Sequence, residues 1–314
     1  MRSMTTNPNT MTEANKITTF KKIPFVFFGT GEIAVGAISA MKDRGVIPAL
    51  VITSPDKPAG RGRVVTPSPA AAWAQAQHID VLKPEKLDSV FIDELKERNV
   101  AIASKAFLVI DYGQFLPDAL LAIPERGVLN MHPSLLPSLR GSSPIRSAIL
   151  NNVRETGVTV MLVDAEMDHG PVVAQKKVPI PEWPPRGREL DALLAREGGA
   201  LLADILPHWV DGEIIEQIQN HDVATYTRQF IKEDGLLDLY ADPYQNLLKI
   251  CAFDGWPGTY AFFIKADKRI RVQILDAHIE GTKLIIDIVK PEGKSEMKYD
   301  DFARSGVTAE KTRD

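Results

Sequence analysis

With 314 residues, 44% hydrophobic and 25% charged, the chain has the composition of a soluble globular protein large enough for two domains. A net charge of -4 excludes a surface that grips nucleic acid everywhere, so any such contact must come from a local basic patch. The single cysteine, Cys251, excludes intrachain disulfides and cysteine metal clusters, which suits the reducing cytoplasm, and no apolar run approaches membrane-spanning length.

Residues 1–22 are polar, rich in Thr and Asn, and lack the apolar core of a signal peptide; they read as a disordered tail. Ile23 to Phe28 reads as a buried strand, Gly29-Thr30-Gly31 as a tight turn, and Glu32 to Arg44 as a helix stopped by Gly45. The apolar run 49–54 follows directly, completing a strand–helix–strand unit with parallel strands. Residues 54–69 carry four prolines, two glycines and the cations Lys57, Arg61 and Arg63, which reads as an exposed loop whose charges suit phosphates. Further strands are expected at 80–83, within 100–110 (interrupted by Ser104-Lys105), at 127–131 and at 158–163, with helical segments between several of them. The fold class is therefore α/β: a Rossmann-like open, mostly parallel sheet that binds ligands beyond the carboxyl ends of its strands. Gly29, Gly31 and Gly36 miss the G-x-G-x-x-G spacing, and no acid stands at the tip of the second strand, so a nicotinamide site is poorly supported.

The stretch Gly127 to His132 ends an apolar run with Asn130 and His132, which alternation places on one face of a strand. Pro133 and Pro137 then fix a turn through Ser134-Leu135-Leu136. A second strand at 158–163 leads to Asp168, on a polar turn before Gly170-Pro171. An amide, an imidazole and a carboxylate at one sheet edge suit acyl transfer: Asn donates to an oxyanion, His moves a proton, and Asp orients the His. No G-x-S-x-G motif appears and Cys251 is remote, so direct transfer through a tetrahedral intermediate fits better than a covalent enzyme intermediate. A metal site lacks a third ligand in any motif. Each residue also has a plainer reading, as turn former, core histidine or helix cap.

From Ile23 to about Ile180 the chain resembles the folate-dependent formyltransferases. Asn130-x-His132, the turn Ser134-Leu135-Leu136-Pro137, Arg140-Gly141 and Asp168-x-Gly170 match that family's signature in order and spacing. The loop "PDKPAGRGRVVTPSP", "YGQFLP" (112–117), "RGSSPI" (140–145), "ETGVTV" (155–160), "ATYTRQFIKEDGLLDL" (224–239) and "AFDGWPGTY" (252–260) are similar to its aminoacyl-tRNA branch. The resemblance implies that 10-formyltetrahydrofolate donates its formyl group to the α-amine of methionine on initiator tRNA. It implies Asn130, His132 and Asp168 as catalytic residues, Ser134, Leu135, Leu136 and Pro137 on the folate side, and Lys57, Arg61 and Arg63 against the tRNA. No metal and no membrane are implied, and a monomer is expected. Lys57 stands where the family commonly has arginine, and His169-Gly170-Pro171 departs from the tRNA branch towards enzymes that formylate small molecules. A nucleotide-linked amino sugar therefore stays open as the acceptor, and a binding protein without turnover is the reading from another class.

Four segments are expected: the tail 1–22, a catalytic domain 23–211, a linker 212–229 and a small second domain 230–314. In the last, "GTYAFFIK", "RIRVQILDAHIE" and "KLIIDIVKPEG" read as strands of a small β-barrel or sheet, with Lys265, Lys268, Arg269 and Arg271 as a modest basic cluster, and the family resemblance implies an oligonucleotide-binding-like barrel.

Overall fold

The computed structural model describes residues 23–311 apart from 60, 61 and 63, so the expected tail, Arg61 and Arg63 lie outside the described residues. Strand β1 (Val26–Gly29) is buried at every position, and α1 (Glu32–Lys42) and the parallel β2 (Leu50–Ile52) complete the expected unit. Each large apolar side chain withdrawn from water here contributes roughly 1.5–3 kcal/mol. The loop expected across 54–69 contains a short hairpin, β3 (Lys57–Ala59) against β4 (Val64–Thr66), which leaves Lys57, Val64 and Val65 exposed. Helix α2 (Pro69–Ala76) starts at Ser68, whose hydroxyl accepts from the Ala71 amide at 3.0 Å, and leads to β5 (Asp80–Leu82).

The interruption at Ser104-Lys105 is a helix-to-strand joint. Helix α3 (Ser89–Ile102) ends on Ala103 at φ 55, and β6 begins only at Phe107 and runs to Ile110. The Ser104 hydroxyl donates to the Ala106 carbonyl at 2.8 Å, and Asn99 Nδ2 donates to the Ser104 carbonyl at 3.2 Å. After α4 (Asp118–Leu121) come β7 (Val128–His132), the two-residue β8 (Arg140–Gly141), α5 (Pro144–Leu150), β9 (Thr156–Leu162), β10 (Val172–Val178) and the long α6 (Gly187–Val210).

The main sheet has the order β10-β9-β7-β6-β1-β2-β5, parallel from β7 to β5 and antiparallel at β7/β9 and β9/β10. The chain leaves β1 towards β2 on one side and returns to β6 and β7 on the other, so the strand order reverses there. Open α/β sheets bind ligands at that crevice. Helices α1 and α6 approach closely on one face: a Cβ at Gly199 would stand 2.1 Å from the Ala37 carbonyl oxygen, so only glycine allows that contact.

Beyond α6 come β11 (Tyr226–Thr227), which pairs with β8, and α7 (Pro243–Ala252). The antiparallel unit follows as β12 (Thr259–Lys265), β13 (Lys268–Glu280), β14 (Lys283–Pro291), β15 (Met297–Lys298), α8 (Tyr299–Ala303) and β16 (Thr308–Ala309). Its sheet order is β15-β14-β13-β12-β16, with a core around Phe263, Val272, Ile274 and Val289. The packing does not divide at 230. Phe230, Leu248, Cys251 and Phe253 belong to the large core, whereas Ile250 belongs to the small one. Helix α7 thus has two apolar faces and serves both units. Cys251 is a buried residue, and burial pushes its thiol pKa up. No helix among the described residues is long and apolar enough to cross a membrane.

Candidate active site

Strand β7 pairs with β6 through Val109↔Asn130 and with β9 through Asn130↔Met161 and His132↔Thr159, which fixes where both polar side chains leave the sheet. His132 is 4% exposed. Its Nε2 lies 2.9 Å from the Leu139 carbonyl oxygen. A carbonyl only accepts, so Nε2 carries the proton and Nδ1 is the nitrogen free to exchange one.

That Nδ1 faces Asp168, with Oδ2 at 3.5 Å. The same Oδ2 accepts from the Gly141 amide at 2.7 Å, and Oδ1 accepts from Asn130 Nδ2 at 3.4 Å. The Asp168 carboxylate is therefore the common point of the amide, the imidazole and a backbone donor. Gly141 has φ 107, and a Cβ there would stand 2.6 Å from the Thr227 carbonyl oxygen, so glycine is required both by conformation and by the approach of β11.

These three residues line a cavity of about 660 Å³ beyond the carboxyl ends of β6 and β7, walled by residues 109–116, 141–146, 163–164 and 166–168. Phe115, Met167 and Trp256 line it while remaining exposed. Arg146 and Asp191 also line it, joined by two hydrogen bonds of 2.7 Å. Among the described residues no group of three or more His, Cys, Asp or Glu side chains is arranged to hold a metal ion.

The turn expected on the folate side is placed differently. Ser134, Leu135, Leu136 and Pro137 are not among the cavity's lining residues; Pro133 is the last of that segment to reach it. Ser134 is 1% and Leu136 5% exposed. The Ser134 hydroxyl donates to the Ser138 carbonyl at 2.6 Å. The Leu136 amide donates to Thr159 Oγ1 at 3.1 Å, and its carbonyl accepts from Gln175 Nε2 at 2.9 Å. The turn supports the site from behind because β9 and β10 take up its backbone groups. Lys57 stands exposed on the β3–β4 hairpin, outside the cavity lining.

Asp111 is a cavity group that the sequence reading missed. It follows the last ladder pair of β6, Gly29↔Ile110, at φ 51, and its carboxylate lies so close to Gly31 that a Cβ there would stand 2.2 Å from Oδ2. Its side chain is open to the cavity, whose walls thin the water around it. That desolvation, then the negative charge of Asp191, push its carboxyl from 3.8 up to about 6, against the lowering effect of the Gly31 amide. The folded state thus binds this proton more tightly than the unfolded chain, so the penalty is absent below about pH 4, grows towards about pH 6 and is complete above it. Asp111→Asn should therefore raise Tm more at about pH 7.5 than at about pH 4. An equal shift at both pH values would show that the native carboxyl carries no such penalty.

On the antiparallel unit Arg269 stacks 3.5 Å from the Phe262 ring centre while its Nε is ion-paired with Glu310 at 2.7 Å, and Arg271 stacks 3.8 Å from the ring centre of Tyr260.

Residues 21–202 match the model of the family described as formyl transferase. The methionyl-tRNA formyltransferase of Chloroflexus aurantiacus is 39% identical over 262 residues, covering 82% of each chain. Among solved structures, the methionyl-tRNA formyltransferase from Clostridium thermocellum superposes with a TM-score of 0.56 at 17% identity, over 86% of this chain and 98% of the other. A sugar N-formyltransferase from Shewanella reaches 0.57 at 17% identity, over 85% and 99%. The two superpositions are equivalent and show the fold alone.

Proposed function

This chain belongs to the formyl transferase family, and on that premise we propose that it moves the formyl group of 10-formyltetrahydrofolate to the α-amine of methionyl initiator tRNA. The convergence of Asn130 Nδ2, His132 Nδ1 and the Gly141 amide on the Asp168 carboxylate, inside one cavity, carries the chemical part of the reading.

The cavity suits the donor. A pterin is a flat bicycle with apolar faces and polar edges, and apolar side chains around a concave site are what such a ring needs. Residues 109–116, 163–164 and 166–168 would flank it, with Phe115 and Met167 covering its faces and the turn Ser134–Pro137, bonded to β9 and β10, supporting the floor from behind. The bound donor supplies a formyl carbon open to attack and a nitrogen leaving group. As the amine nitrogen bonds to that carbon, negative charge grows on the formyl oxygen, and Asn130 Nδ2 would donate to it. The nitrogen must shed a proton as the bond forms; Asp168 and His132 Nδ1 would receive it and return it to the folate nitrogen as the old C–N bond breaks.

The acceptor rests on different observations. Identity of 39% across 82% of a methionyl-tRNA formyltransferase favours the tRNA, whereas the sugar enzyme shares only the fold at 17%. Lys57 on its exposed hairpin, with Arg61 and Arg63 beside it in the sequence, supplies local positive charge on an otherwise acidic chain. The test is a transfer assay with 10-formyltetrahydrofolate, offering charged initiator methionyl-tRNA and amino-sugar nucleotides in separate reactions. Formylation of the tRNA is expected. Transfer to the sugar alone would overturn the acceptor and leave the Asn–His–Asp chemistry in place.

A further inference from the structure

Residues 212–229, expected as a linker, enter the frame of the active site. Gln217 exchanges backbone hydrogen bonds with Val172 at 2.7 and 2.8 Å, and β11 pairs with β8. Between these anchors Gln219 is 6% exposed. Its Oε1 accepts from Arg140 Nη2 at 2.7 Å and from Arg140 Nε at 3.2 Å. Its Nε2 donates to the Asp168 carbonyl at 2.9 Å and to the Gly170 carbonyl at 2.7 Å. A primary amide has two donor hydrogens and two lone pairs, so this side chain is saturated.

The bonds close a ring. Asp168 is held at its carboxylate by the Gly141 amide and at its carbonyl by Gln219, which is itself held by Arg140, the residue before Gly141. Asp168 has φ 51, a backbone region that residues other than glycine adopt at a cost unless the surroundings hold them there. The carbonyl bond from Gln219 is such a hold, because rotating the Asp168 backbone into a relaxed conformation would turn its carbonyl away. Resting on the functional reading above, we propose that Gln219 is a positioning residue. It fixes the left-handed backbone at Asp168 and so sets where the carboxylate stands relative to His132 and Asn130.

A purely structural role would be to satisfy Arg140, which is 1% exposed and whose other side-chain partners are the Tyr226 hydroxyl at 3.2 Å and His221 Nδ1 at 2.8 Å. Gln219→Glu separates the two roles. A carboxylate still meets Arg140, now as an ion pair, but it presents an acceptor to the Asp168 and Gly170 carbonyls and supplies no donor. Gln219→Met, which keeps the volume and removes every hydrogen bond, serves if the glutamate variant does not fold.

Both would be made in the whole protein and checked by Tm. In a folded variant we expect kcat to fall by about tenfold to a hundredfold, the effect of a small misplacement of a reacting group, with KM for donor and acceptor nearly unchanged. Hydrogen exchange of the Gly141 amide, which donates to the Asp168 carboxylate, should quicken by about tenfold while the core strand amides keep their protection. A folded variant with kcat within about twofold of the parent, or with Gly141 protection unchanged, overturns the proposal. Should the parent protein transfer formyl to neither acceptor, the functional reading fails, and the Gly141 exchange alone decides whether Gln219 places Asp168.

Discussion

His132→Ala is expected to lower kcat by about 10²–10⁴-fold with little change in KM for the donor, the loss that follows removal of a positioned proton carrier. Because Nε2 donates to the Leu139 carbonyl, the tautomer is set, and Nδ1 is left 3.5 Å from Asp168 Oδ2. A proton taken up at Nδ1 lands between imidazole and carboxylate, in a pocket that leaves His132 4% exposed. Alanine also strips Leu139 of its hydrogen-bond partner, which should cost about 1 kcal/mol of stability. The measurement is therefore steady-state kinetics beside a thermal melt, so that lost turnover is not mistaken for lost protein. A folded His132→Ala with less than a tenfold loss would remove the imidazole from the proton path.

That Asn130 and His132 leave the sheet together was legible in the sequence for a physical reason: side chains two apart on a strand share a face. Spacing left their role open between catalysis and plain packing, and it was the family resemblance that made them catalytic candidates. Asp168 was legible because a strand and a glycine bracket it. Its conformation was not, since a left-handed backbone at an aspartate depends on partners far away in the chain. One of them, Gln219, lies 79 residues beyond Arg140, in a polar stretch without periodicity that any sequence reading assigns to a linker. Asp111 stayed hidden for a related reason. "LVIDYG" reads as a strand running into a turn, and only the pairing of β1 with β6 sets its carboxylate against Gly31. The expected boundary at 230 could not show that α7 buries one face in each core, because that packing depends on partners far apart in the chain.

The second large loss is expected from Asp168→Asn, again about 10²–10⁴-fold in kcat. This substitution is the cleaner of the two. Asparagine tolerates the left-handed backbone that Asp168 adopts, and its carbonyl oxygen can still accept from the Gly141 amide, so the turn and the Gln219 bond should survive. What disappears is the charge beside His132 Nδ1 and the acceptor for Asn130 Nδ2, which would face an NH₂ group instead. Donor affinity should change little, because the carboxylate acts on the reacting atoms rather than on the bulk of the folate. Kinetics at saturating substrates, with donor binding measured separately, would check this. If Asp168→Asn kept more than a tenth of the parent kcat, the proton would have to leave by another carboxyl. Asp111 lines the same cavity, and desolvation by its walls raises its carboxyl pKa, so it is the carboxyl to test next. In that event Asp111→Asn, rather than Asp168→Asn, would carry the loss.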